Sequence, residues 1–410
     1  STTGIDNGLG RSPPMGWRSW NLYRDHVDQR LLEGVMRGLA VRRRLVDGVP
    51  TSLCDLGYCD VGLDDAWQAC ASGSAKFRYH DVAGRPIVNS HRFPDMLSMT
   101  ETAHALGLTA GWYLNNCICS EQTVATHDMY AQDVHYLVEV FKFDSVKLDG
   151  CGKQLDLDLW ASLINQTGRR IMIENCHWGQ TVPTKTWCPW NFFRTSEDIT
   201  PTYASVVANL QTTITWAREG LSRPGCWAYP DMLEAGVAGL NAAEMRSHFG
   251  AWCIVSSPLT LSHDVNNDAV ADFVWPVISN KEAIAINQAW AGHSGSPFKQ
   301  SPRLITLSKK DVKGARVDVR VPSWQFFYKP LPGGRVAVFL MNHAGWVEDF
   351  VLNAHEVPNF HCRPCSVRDV WARRDRPDFQ AGLLRVRVAS RDSAFFVLSP
   401  VASAPRALYT

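Results

Sequence analysis

Between Met15 and Ala289 eight short apolar runs alternate with longer stretches of helical period, and this alternation restricts the fold more than any other property of the chain. Strand–helix units repeated over about 280 residues close into a (β/α)8 TIM barrel more readily than they spread into an open doubly wound sheet. The pattern predicts strands at Met15–Asn21, Cys59–Trp67, Leu108–Leu114, the run ending at Asp149, Ile171–Trp178, Phe192–Ile199, Cys226–Asp231 and Pro258–Ser262. It also predicts one long helix over Asp25–Val46 and another over Asp268–Ala289. From about Gly292 helical period gives way to short β-rich runs separated by Pro, Gly and Asn, the pattern of an antiparallel β-sandwich. The expected division is a barrel over 1–291 followed by a β domain over 292–410.

The chemistry gathers at the ends of the predicted strands. Ser145–Gly152 reads Ser-Val-Lys-Leu-Asp-Gly-Cys-Gly, which holds the Asp149 carboxylate at a sheet rim, where barrels carry catalytic groups. Lys147 points to the same face, because strand side chains alternate. An ammonium there keeps a carboxylate ionised, as a nucleophile requires, although a structural ion pair uses the same two residues. Asp64, Tyr113, His177, Arg194, Asp198 and Asp231 fall at other strand ends. Retaining glycosidases need two carboxyl groups about 5–5.5 Å apart on opposite sides of an anomeric carbon, and a barrel brings such groups together from distant positions. Asp198 is the second candidate, with Glu197 as its rival. As a general acid it needs a raised pKa, which partial burial and a nearby carboxylate supply; its other use is to cap a helix starting near Pro201. Asp64 and Asp65 suit hydroxyl recognition, a cation or a solvated turn, but the further ligands a metal requires are not evident. No metal and no cofactor is expected.

A formal net charge of +1 with 20% charged residues gives no basic field for nucleic acid. No apolar run approaches the roughly 20 residues of a membrane-spanning helix. Twelve cysteines and the sequon at Asn165 point to the secretory pathway, hence an extracellular or lysosomal/vacuolar setting. Cys362 and Cys365 are spaced for a small disulfide.

These motifs resemble glycoside hydrolase family 27, the α-galactosidase and α-N-acetylgalactosaminidase family, over essentially the full length. The matching residues include Pro14-Met15-Gly16-Trp17 with Trp20, Asp64-Asp65 before Trp67, Arg92-Phe93-Pro94, Lys147-Leu148-Asp149-Gly150-Cys151, Cys176 with Trp178-Gly179, Arg194 with Asp198-Ile199, and Pro230-Asp231-Met232. The resemblance implies a barrel with a C-terminal antiparallel β domain, and double displacement with Asp149 as nucleophile and Asp198, not Glu197, as acid/base. It places Trp20, Asp64, Asp65, Tyr113, Lys147, Cys176, His177, Trp178, Arg194 and Asp231 around a terminal galactose. It further implies disulfides of Cys117 or Cys119 with Cys151, and of Cys176 with Cys188. The family's usual cysteine at the position of Ala66 is missing, so that bridge is absent or rebuilt among Cys54, Cys59 and Cys70. His177 stands where the family reads the substituent at C2. An imidazole bonds a 2-hydroxyl but fills the space of an N-acetyl group, which favours galactose.

The expected activity is release of terminal galactose from α-galactosides by a monomer or homodimer. The alternatives are β-L-arabinopyranosidase or α-N-acetylgalactosaminidase activity on the same scaffold, and a catalytically silent galactose-binding lectin. Retention of both carboxylates argues against the lectin.

Overall fold

A computed structural model describes residues 3–4, 7–69, 79–81, 83–115, 127–311, 313–361, 364–377 and 379–401. Among these the chain forms two compact units, one of residues 1–200, 224–238 and 258–279, the other of residues 201–223, 239–257 and 280–410.

The first unit is built on an eight-stranded parallel sheet. Its strands are β1 (Met15–Arg18), β2 (Asp60–Gly62), β3 (Thr109–Leu114), β4 (Ser145–Asp149), β5 (Met172–Cys176), β6 (Phe192–Arg194), β7 (Trp227–Tyr229) and β8 (Leu259–Leu261), in spatial order β7-β6-β5-β4-β3-β2-β1-β8. The Leu233 N–H donates to the Thr260 carbonyl at 2.8 Å, linking the chain beyond β7 to β8 at the opposite sheet edge. The (β/α)8 barrel and the β-sandwich that follows it in the chain agree with the sequence pattern.

Parallel register makes paired residues share a face. Trp17, Val61, Ala110, Val146 and Ile173 are at most 1% exposed and form the apolar layer on the outer face of the strands. The alternate positions face the barrel axis and are polar or small: Thr260, Gly16, Asp60 and Thr109 at one level, and Tyr113, Lys147 and Glu174 at another. Gly16 is required, because a Cβ there would lie 2.4 Å from the Asp60 carbonyl oxygen.

Among the described residues, four helices of this unit start where an acidic or amide side chain meets free N–H groups. Asp28 accepts from the Leu31 N–H to open α1 (Gln29–Ala40), whose buried stripe is Leu32, Val35, Met36 and Leu39. Asp95 and Asp156 cap α2 (Met96–Ala105) and α4 (Leu157–Gln166) in the same way, with α3 (His127–His135) between them. Asn165 is exposed near the end of α4. The long first helix expected from sequence stops early. Asp47 and Gly48 both adopt positive φ and turn Arg44–Val46 back onto Val49–Thr51 as a hairpin, a use of Asp-Gly that overrides the helical period. The predicted first strand also ends early, at Arg18, and Trp20 opens a one-turn helix, Trp20–Tyr23.

The second unit contains α5 (Tyr203–Gln211), α6 (Ile214–Arg218), α7 (Ala242–Ile254) and α9 (Lys281–Gln288), while α8 (Asp268–Ile278) belongs to the first. The helix expected over Asp268–Ala289 is therefore two, since the side chain of Asn280 starts a new one by accepting from Glu282 and Ala283. The C-terminal strands are β9 (Ser296–Gln300), β10 (Leu304–Lys310), β11 (Arg316–Pro322), β12 (Trp324–Leu331), β13 (Arg335–Asn342), β14 (Glu348–Asn353), β15 (Cys365–Asp369), β16 (Arg374–Asp375), β17 (Leu383–Val388) and β18 (Ser393–Pro400). Six of them form one antiparallel sheet in the order β9-β12-β13-β18-β15-β16, while β10–β11 and β14–β17 form ribbons. Phe326, Leu340 and Phe396 of the large sheet pack with Phe350, Leu352 and Leu384 of the β14–β17 ribbon to make the sandwich core. Sequence reading missed β9, β14 and the two-residue β16. Pro297 demotes β9, and a register shift follows it in an edge strand, the position where proline is tolerated.

One expected disulfide is wrong. Cys188 bonds Cys226, and Cys176 is a buried free thiol. Cys176 pairs in register with Asp149 and so faces the axis, whereas Cys226 directly precedes Trp227, the partner of Phe192, beside the chain that leads from Cys188 into β6. A second bridge joins Cys54 to Cys59, the rebuilt pairing near the first strands. Cys151 and Cys365 are disulfide-bonded. Cys117, Cys119 and Cys362, the partners expected from sequence, lie outside the described residues.

Breaking the Cys188–Cys226 bridge, which spans 38 residues, should lower the unfolding free energy by about 3 kcal/mol in urea titrations of Cys188→Ser/Cys226→Ser. Cys176→Ser should leave the 188–226 cross-linked peptide intact in non-reducing mass maps. Its disappearance would reassign the pairing.

Candidate active site

Strand β4 delivers Asp149 to the rim, 5% exposed, with its carboxylate fixed from two sides. The Tyr113 hydroxyl donates to its Oδ2 at 2.7 Å, and the Cys151 N–H donates to its Oδ1 at 3.2 Å. Burial pushes this carboxyl up to about 7; the Lys147 charge and the Tyr113 hydrogen bond pull it down, and the charges of Asp64 and Asp198 push it further up. Lys147 therefore does not keep Asp149 at an ordinary carboxylate pKa. Its ammonium lies 2.9 Å from Asp64 Oδ2 instead. Burial opposes the Lys147 charge, but the surrounding acidic groups, Asp64 foremost and then Cys176, Asp149 and Glu174, together outweigh it and hold the amine protonated.

Asp149 is also braced by a residue that sequence reading passed over. Asn115, in a left-handed conformation at the end of β3, donates from its side chain to the Asp149 carbonyl, and to the Gln154 carbonyl at 3.0 Å. Gly152 is obligatory beside it, since a Cβ would lie 1.9 Å from Asn115 Oδ1. Ala66, Trp178 and Asp231 likewise take positive φ just after β2, β5 and β7. Such conformations cost roughly 1–3 kcal/mol each and cluster at functional sites.

A second cluster forms where β6 and β7 end. Arg194, 2% exposed, places Nη2 3.0 Å from Asp198 Oδ1 and 3.0 Å from Asp231 Oδ2. Asp231 also accepts from the Ile199 N–H at 2.8 Å and the Met232 N–H at 2.9 Å. Asp198 accepts a further hydrogen bond from Trp178. Burial alone would raise the Asp198 carboxyl, but Arg194, Lys147 and Trp178 together outweigh it and hold the group below the usual range. That is opposite to the raised value expected of an acid. For Asp231 burial wins over Arg194, and the pKa rises. Asp198 does not cap a helix, because Thr202 caps α5. Glu197 is exposed.

His177, 2% exposed, is neutral, since burial pushes it down to about 4. Its Nδ1 lies 2.9 Å from Thr181 Oγ1, and Asn175 holds both ends of this turn by accepting from the His177 N–H and donating to the Thr181 carbonyl. Among the described residues its Nε2 is buried without a hydrogen-bond partner. Cys176 receives the Arg194 Nη1 at 3.5 Å, and burial raises its thiol well above the ordinary value. Trp20 is partly exposed, with the Arg24 guanidinium 5.4 Å from its ring centroid. Asp65 is 1% exposed, and its Oδ1 accepts from the Ala66 N–H at 2.8 Å.

Further inside the barrel, Arg18 lies 3.0 Å from Glu174. Asn21 donates to Glu234, whose carboxyl burial pushes up to about 8, with the Asp231 charge adding to the rise. Both pairs were missed from sequence. Arg18 and Glu174 could have been found as axis-facing positions of strands buried on both sides.

The α-galactosidase A family model matches residues 12–289, and the α-galactosidase C-terminal β-sandwich model matches residues 322–398. The chain belongs to the α-galactosidase A family. As a member it is 28% identical to an α-galactosidase of Oryza sativa subsp. japonica, covering 97% of this chain and 87% of that one. It is 29% identical to the α-N-acetylgalactosaminidase of Gallus gallus, covering 71% and 74%. Crystalline α-galactosidase I of Mortierella vinacea shares the fold, with a TM-score of 0.78 at 23% identity, covering 98% of this chain and all of that one, 100%.

Within this family member the buried Arg18–Glu174 pair should behave as a unit. Glu174→Leu alone should destabilise by about 3 kcal/mol in urea unfolding, because it strands a buried guanidinium. Arg18→Met/Glu174→Leu should cost less than the sum of the single changes.

Proposed function

We propose that this chain is an exo-acting retaining α-galactosidase that works through residues of its 1–291 portion. The observation that carries the reading is a pair of strand-end carboxylates, Asp149 and Asp198, near enough for the charge of Asp198 to raise Asp149, while each is held by its own donors. Family membership supplies the substrate class. Asp149 attacks the anomeric carbon, and Asp198 gives its proton to the departing glycosidic oxygen. The glycosyl ester is then hydrolysed by a water that Asp198 deprotonates, restoring the original anomeric configuration.

Asp198 is preferred to Glu197 because it is the one bound to Arg194 and Trp178. Asp64 and Asp65 suit recognition of the C4 and C6 hydroxyls, since buried acceptors reject a sugar that leaves them unpaired. Lys147 keeps Asp64 oriented as an acceptor. Trp20 suits the apolar C5–C6 side, while Arg194 and Asp231 complete the polar wall. His177 offers its unpartnered Nε2 to a 2-hydroxyl and occupies the volume an N-acetyl group would need.

The free site carries its proton in the unproductive place, because Asp149 holds it more tightly than Asp198. The productive form is the minor microstate of the same singly protonated pair, so both share one pH dependence. As pH rises through about 7 the pair loses its last proton and general acid catalysis fails. On the acid side, both groups become protonated only below the ordinary carboxylate range, and the nucleophile is lost. A bell-shaped kcat/KM profile with its alkaline limb near 7 is the expected result. A profile still rising above that limb would remove the shared-proton account.

Hydrolysis of 4-nitrophenyl α-galactoside, with α-galactose the first anomer seen by NMR, is the direct test. Asp149→Ala should reduce turnover by roughly 10⁴-fold or more. Bound galactose without hydrolysis would make the protein a lectin, and faster cleavage of 4-nitrophenyl β-L-arabinopyranoside would change the substrate. The corresponding α-N-acetylgalactosaminide should react at least about a hundredfold more slowly, and His177→Ala should narrow that gap.

A further inference from the structure

The barrel has a second opening at the other end of its strands. A cavity of about 320 Å³ is lined there by Met15, Arg18, Asp60, Thr109, Ser145 and Met172, among others. These residues come from the N-terminal halves of β2, β3, β4 and β5 and from β1, whereas Asp149 ends β4. The volume lies at the lower end of the range for small-molecule pockets, roughly 300–1,000 Å³.

The walls are specific. Arg18 is 5% exposed and pairs with Glu174 Oε2 through Nη2 at 3.0 Å, but among the described residues its Nε and Nη1 have no hydrogen-bond partner. A buried guanidinium with two unused N–H directions is costly unless something accepts from them. Asp60 stands on the neighbouring strand, partly exposed. Thr109 donates to its carboxylate at 2.7 Å and Ser145 at 3.1 Å, leaving room for another donor. The charges nearly balance: Glu174 offsets Arg18, and at the rim Asp144 is engaged by His104 and Arg169 while Arg170 is exposed. Space is left because Gly16, Gly62 and Gly111 occupy axis-facing positions, where a Cβ would lie 2.4 Å from the Asp60 carbonyl oxygen, 3.1 Å from Arg18 Nε and 2.5 Å from Ser145 Oγ respectively.

We propose that this lower well is a binding site, separate from the carboxylate pair, for a neutral molecule that carries an acceptor and a donor side by side on an apolar body, as a carboxamide does. The carbonyl takes the free Arg18 N–H groups and the amide N–H₂ donates to Asp60, while the ring or chain lies against Met15 and Met172. A carboxylate is disfavoured because it would bring a second anion beside Asp60. A hydrocarbon is disfavoured because it leaves Arg18 bare. Occupancy braces Arg18 and Glu174 at the axis and so stabilises the fold.

Calorimetric titration of the full chain with benzamide tests the site. The expected result is saturable one-site binding, with toluene and benzoate each weaker by about tenfold or more, the value of roughly one hydrogen bond to a charged group. Met172→Trp, which fills the well, should weaken benzamide at least tenfold while α-galactoside hydrolysis continues. Should Met172→Trp fail to fold, Thr109→Trp at an exposed rim position should weaken it likewise. Absence of saturable binding, benzoate binding more tightly than benzamide, or benzamide affinity unchanged in the folded variant would overturn the proposal and leave the well to water.

Discussion

The structure depends on neutralising charges that the barrel encloses. Arg18 with Glu174, Lys147 with Asp64, and Arg194 with Asp198 and Asp231 sit inside the first unit, all of them buried except the partly exposed Asp198. In so dry a setting a lone charge costs several kcal/mol, and each group is tolerated because an opposite charge and hydrogen bonds surround it. A core of this kind is poor at adding stability. It is good at fixing where a carboxylate points, because Asp64, Asp149 and Asp231 each accept on both oxygens. The outer layer of Trp17, Val61, Val146 and Ile173 carries the apolar burial that holds the strands in place.

The same enclosure sets the chemistry. Two carboxyl groups with similar intrinsic acidity are pushed apart because burial raises one against the pull of Lys147 and Tyr113, while the other rests on a guanidinium. Environment, not residue type, assigns them different behaviour. The neutral imidazole of His177 follows the same logic, since burial denies it a proton and leaves it a plain hydrogen-bonding group.

Much of this was legible in the sequence wherever period and position sufficed. Alternation located the eight barrel strands, and strand ends located Asp149, Lys147, Tyr113 and Arg194. Long-range pairing was less accessible. Nothing local says that Lys147 turns to Asp64 rather than to Asp149, or that Cys188 finds Cys226. Those choices are made by strand register, which sequence spacing does not encode. Asn115 and Glu174 were overlooked because a lone polar residue in or beside a strand looks solvated until both faces of the sheet are known to be covered. The Asp47-Gly48 turn was a local signal overshadowed by the apolar stripe before it.

Arg194 grips Asp198 and Asp231 with the same nitrogen, and Asp231 in turn accepts from the Ile199 amide. The two segments leaving β6 and β7 are thereby riveted into a single rigid lip. Motion at that edge of the opening cannot be delegated to one segment, so any widening that admits a bulkier substrate must carry both together or dismantle the rivet. The stiffness of that edge is thus a mechanical property of one guanidinium rather than of loop length.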